Sequence, residues 1–150
     1  MKHLQTLAPK LFVRLEKADE KSLRTVCYRV CDYALTANRP VDPLVEEAVG
    51  FLRFGSKYRQ GMLVELDDLM NRLDEKYFEL NDRADEMVES PGREQLLAES
   101  DEYFRKARVV AALRVADDSD AFEAATESIY EAAASIENKT EIFDLAASLI

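Results

Sequence analysis

One histidine, His3, stands in a chain of 150 residues, near an N-terminal end expected to fray, and tryptophan is absent. A single imidazole removes the usual general base and the usual metal ligand, and it leaves serine and threonine hydroxyls without an activating partner. Cysteine is limited to Cys27 and Cys31, so neither a disulfide scaffold nor a paired-CxxC zinc site can be built. Four glycines and four prolines are too few for the dense turns of an all-β fold. No P-loop, dinucleotide fingerprint or nucleophile elbow occurs. No apolar run approaches the roughly 18 residues of a membrane span. None of signal-peptide length precedes Pro9, so a cytoplasmic protein is expected.

What is present favours helices. Hydrophobic residues make up 47% of the chain, enough for a core, and alanine, leucine, glutamate, arginine and lysine are abundant. The expected fold is all-α, a single-domain bundle over residues 1–150 of about six to seven helices, one of them long and central. A first amphipathic helix over Leu4–Lys17, or starting at Ala8 because of Pro9, is followed by a second capped by Asp19 or Ser22. The second carries Leu23, Val26, Cys27, Val30, Cys31, Ala34 and Leu35 at steps of three and four, which places both cysteines in the core as a reduced pair. Asp42 before Pro43 signals the start of a third helix, ending near Phe54 and Gly55. In the fourth, Met62, Leu66, Leu69, Leu73, Tyr77, Leu80 and Ala84 hold one phase, which predicts an unbroken helix over residues 57–88, capped by Ser56 and longer than about 40 Å. Ser90 with Pro91, Asp120 with Glu123 and Asn138 with Glu141 mark three further helix starts. Short connections favour antiparallel neighbours.

The net charge of −10 is segregated. Residues 1–60 hold eleven basic and seven acidic side chains, a balance of +4. Residues 61–102 hold four basic and fourteen acidic, a balance of −10, and residues 103–150 hold five and nine, a balance of −4. On a helical wheel Asp68, Glu75, Glu79, Asp82, Glu86 and Glu89 form a stripe opposite Leu66, Leu73, Tyr77 and Ala84. The stripe reads either as a solvated face that keeps the protein soluble or as a docking face for a basic partner whose approach it speeds. Like charges at i,i+4 cost only a few tenths of a kcal/mol each, which decides nothing between the two.

Other clusters give weaker signals. Glu65-x-x-Asp68 and Glu79-x-x-Asp82 place carboxylates one turn apart, a spacing that suits Mg²⁺. They resemble the Glu-x-x-Asp elements of all-helical nucleoside-triphosphate pyrophosphohydrolases, but both pairs lie on one helix, whereas that family gathers carboxylates from several. Phe51, Arg53, Phe54, Lys57, Tyr58, Arg59 and Gln60 gather around Gly55, where an anion could meet a helix N-terminus. The simpler reading packs the aromatics inward and solvates the bases. The acidic balance argues against nucleic acid.

Residues 104–116 (Phe-Arg-Lys-Ala-Arg-Val-Val-Ala-Ala-Leu-Arg-Val-Ala) and 120–132 (Asp-Ala-Phe-Glu-Ala-Ala-Thr-Glu-Ser-Ile-Tyr-Glu-Ala) resemble the C-terminal helix pair of small all-helical bacterial immunity-type proteins. The resemblance implies a cytoplasmic inhibitor that binds a toxin domain. With the missing catalytic groups, it leads to the expectation of a non-enzymatic protein-binding module without cofactor or metal. It would meet a basic protein partner through Asp68, Glu75, Glu79, Asp82, Glu86 and Glu89, as a monomer or homodimer. The alternatives are a metal-dependent nucleotide phosphohydrolase and a self-associating helical scaffold.

Overall fold

The computed structural model describes residues 3–150, and every regular element among them is a helix. These are α1 (His3–Leu7), α2 (Pro9–Glu16), α3 (Glu20–Ala37), α4 (Pro43–Arg53), α5 (Met62–Asp85), α6 (Pro91–Val115), α7 (Ala121–Ala134) and α8 (Lys139–Ser148). The starts follow local capping chemistry. Asp19, Asp42, Ser90, Asp120 and Asn138 each accept a backbone N–H of the following turn, satisfying donors that a helix start leaves open.

Three features depart from the sequence reading. The first helix is two, because Ala8 (φ −143°, ψ 70°) leaves the helical region. A residue before proline is driven out of that region by the proline ring. His3, expected on a frayed end, lies in α1 and stacks on Tyr130 with ring centroids 4.6 Å apart. The fourth predicted helix, now α5, is shorter at both ends. Residues 57–60 are not helical, and the cap is Gly61 in the left-handed region (φ +87°) rather than Ser56. Tyr58 holds that segment away from the helix. Its backbone N–H donates to Asp117 Oδ1 at 3.1 Å and its hydroxyl to the Leu113 carbonyl at 2.5 Å. At the far end Pro91 requires Ser90 to be extended, and Arg93 Nε donates to the Ala84 carbonyl at 3.1 Å, closing α5 at Asp85. α6 is as long as α5, so the long element is a helical hairpin and not one central helix.

α3 and α7 run in parallel through the centre. Arg24 donates to the carbonyls of Ala116 and Ser119 at one end, and Asn38 donates to the Ser135 carbonyl at the other. Small buried residues on α7, among them Ala124, Ala125, Ser128, Ala132 and Ala133, let α3 approach closely with Val26, Cys27, Val30 and Cys31. Both cysteines are free and buried, as expected. Burial pushes the Cys27 thiol up to about 11 and the Cys31 thiol well above its ordinary value. The Ser128 hydroxyl is buried beside them without a well-formed hydrogen bond among the described residues. The first turns of α5 (Met62, Leu66, Leu69) and the last of α6 (Val109, Val110, Leu113) complete this core.

Candidate functional site

The main core stops partway along the α5–α6 hairpin. Met70 and Leu73 still pack against it, whereas Leu80 and Ala84 are buried but lie outside it. They are covered by the facing turns of α6. Residues 74–104 therefore form a two-helix arm that leaves the body. At the helical rise per residue the arm extends about 18 Å along α5. Within it Ser100 Oγ donates to the Tyr77 carbonyl at 3.2 Å, and Arg93 ties the tip to Ala84. The arm is strongly acidic, with eleven acidic and three basic side chains over residues 74–102, a balance of −8.

The root of the arm is an ion network across three helices. Arg108 on α6 donates to Asp74 on α5 at 3.2 Å and to Glu131 on α7 at 3.1 Å. All three side chains are less than a third exposed. Burial raises the Glu131 carboxyl pKa, and the attraction of Arg108 offsets this only in part. Arg108 Nε is buried without an acceptor among the described residues. The same guanidinium lies over the Phe104 ring, 5.7 Å from its centroid. The ring contacts continue outward, from Phe104 to Tyr77 at 5.4 Å and from Tyr77 to Phe78 at 5.0 Å. Phe78 is 58% exposed, and Val88 at the tip is 84% exposed.

Arg108→Ala should destabilise the protein by about 2 kcal/mol, because two half-buried carboxylates would then face each other without their cation. Replacing Asp74, Arg108 and Glu131 together by leucine, methionine and leucine should be near neutral, since no unpaired charge remains. Urea midpoints measure both. A single variant no less stable than the triple would contradict this account of the root.

Asp68, Glu75, Glu79 and Asp82 are exposed on α5, with Lys76 3.6 Å from Glu79. Glu86 is the C-cap of α5, and Glu89 lies beyond the helix, so the stripe is helical over four of its six members and continues into the tip loop. The carboxylate pairs do not converge. Glu65 is held by Arg59, and among the described residues no group of three or more His, Cys, Asp or Glu side chains could hold a metal ion. The aromatic-basic patch is dispersed. Phe51 and Tyr58 pack inward, but Phe54 is 79% exposed, contrary to expectation. Arg59 bridges Glu47 and Glu65, and Arg53 donates to the Tyr28 hydroxyl at 3.1 Å. These guanidiniums are engaged within the chain.

A groove of about 620 Å³ opens near the foot of the arm, between the end of α3, the α7–α8 connection and Arg105. Tyr33 crosses it to donate to Glu141 at 2.6 Å. Sequence reading missed this groove, Arg108 and Phe78. Only the approach of distant segments makes the first two visible, but Phe78 carried a signal, as an aromatic residue out of phase with the α5 core stripe. No protein-family model, curated protein or solved structure matches the chain.

Proposed function

We propose that the chain is a non-enzymatic protein-binding module that meets a basic partner through its acidic arm. In its specific form it is a cytoplasmic immunity-type inhibitor of a basic toxin domain. The observation that carries this reading is the arm itself. A hairpin that leaves the core exposes more surface than the fold needs, and this one concentrates a charge of −8 over residues 74–102. Such a field accelerates encounter with a positive surface such as the substrate face of a nuclease. The same charge opposes pairing of two arms, which weighs against the scaffold alternative. The phosphohydrolase alternative gains no support from carboxylates that stay apart along one helix.

Reversing Asp68, Glu75, Asp82 and Glu86 to lysine should slow association with a basic partner by about tenfold or more at low salt and flatten its salt dependence. The partner is to be recovered from the native host and its association timed by stopped flow. Association that is equally fast and equally salt-sensitive for both proteins sinks the reading.

A further inference from the structure

We propose that the flank of the arm carrying Tyr77, Phe78 and Phe104 seats a basic amphipathic helix of a partner protein, laid end to end with α7. The proposal rests on the reading of the arm as a surface for a basic partner, and it assigns the contact to the flank bordering the outer stripe, at Phe78 beside Glu75 and Asp82.

Asp74 and Arg108 lie on the side of the hairpin that α7 covers, since Arg108 joins Asp74 to Glu131 of α7. Three residues past Glu131, α7 ends at Ala134. Continuing outward from Asp74 at helical spacing reaches Phe78 and Asp85 on α5. Continuing outward from Arg108 reaches Phe104, Leu97 and Glu94 on α6. The ring contacts from Phe104 through Tyr77 to Phe78 place these aromatics on one continuous surface. The valley filled by α7 at the root therefore runs on uncovered along the arm.

The occupant follows from chemistry already present at the root. There a guanidinium lies over Phe104 and is held by carboxylates on either side. The open part repeats those components, with aromatic faces at Tyr77 and Phe78 and carboxylates at Asp85 and Glu94. Neither carboxylate holds an ion pair among the described residues. Arginine or lysine flanking an apolar helical face would complete both sets of contacts. A third helix is the element that packs into the valley between two others. A second copy of the arm would bring like charge against like.

The test uses the full chain and a synthetic helix of about four turns, with leucine at i, i+3, i+4 and i+7 and arginine elsewhere. The control is a peptide of the same composition with scrambled order. The ordered peptide should bind more tightly than the scrambled one, and it should slow amide exchange over residues 78–88 and 94–104. Phe78→Ser, at an exposed site that folding does not need, should speed dissociation by about tenfold or more and change association little. Glu94→Lys should weaken binding as a second, independent probe of the rim. Equal binding of both peptides, no binding, exchange protection confined elsewhere, or unchanged dissociation for Phe78→Ser overturns the seat. If the outer-stripe reversal slows association while Phe78→Ser has no effect, the acidic-arm reading stands and only the seat falls. If Phe78→Ser acts while the stripe reversal does not, the seat stands and the steering role of the stripe falls.

Discussion

Raising the pH from 7.5 to about 11 should remove at least about 2 kcal/mol of folding free energy, a large share of what many domains possess in total. Three buried groups drive this. Burial pushes Cys27 up to about 11 and shifts Cys31 and Tyr58 upward too, and it is the largest cause in each case. A raised pKa means that the folded state holds its proton more tightly than the unfolded chain does. Below a pH of about 8 both states keep their protons, and the full stability is present. As the pH rises through the window from about 8 to 11, the unfolded chain ionises first and gains relative to the fold. Each unit of difference is worth about 1.4 kcal/mol, so Cys27 alone accounts for about 2 kcal/mol by pH 11, and the upward shifts of the other two groups act in the same direction. Urea midpoints at pH 7.5 and 10.5 measure the loss. Cys27→Ala with Cys31→Ala should be less stable at neutral pH but lose less on alkalinisation. Equal wild-type midpoints at the two pH values would refute the account.

The second large effect concerns where stability resides. Leu80 is 2% exposed, yet it lies outside the main core. Leu80→Ala should cost about 2–4 kcal/mol, as other buried leucines do, but the loss should fall on the arm alone. Amide protection over residues 76–102 should drop by about thirtyfold or more, while protection of α3 and α7 stays close to wild type. Ile129→Ala, the same kind of deletion inside the main core, should lower protection throughout. Hydrogen exchange resolved by residue separates these outcomes. A uniform drop for Leu80→Ala would mean that arm and body unfold as one unit.

The parts of this fold legible in the sequence are those decided within a few residues. Asp42 before Pro43 and Ser90 before Pro91 name their helix starts because the cap, its acceptor and the proline are adjacent. The stripe of α3 is legible because burial on both α7 and α4 leaves a full three-four pattern. The start of α5 is misread because what holds residues 57–60 out of the helix is remote. Tyr58 is tied to Asp117 and Leu113, more than fifty residues away. The projection of the arm is equally hidden. Leu80 and Ala84 look the same in sequence whether one helix or a whole body covers them. The acidic stripe is legible as a pattern, but its partial placement on the tip loop depends on where Arg93 closes α5.

The ion network at Arg108 marks a line across the molecule. On the body side, residues are constrained by mutual packing, and a change at one is felt by many. On the arm side, outer positions such as Phe78, Asp85 and Glu94 support little beyond themselves. Mutation can therefore alter what the arm recognises without first solving a folding problem. A lineage carrying this chain would be expected to diverge fastest between residues 75 and 103, keeping pace with a changing counterpart while the body drifts slowly.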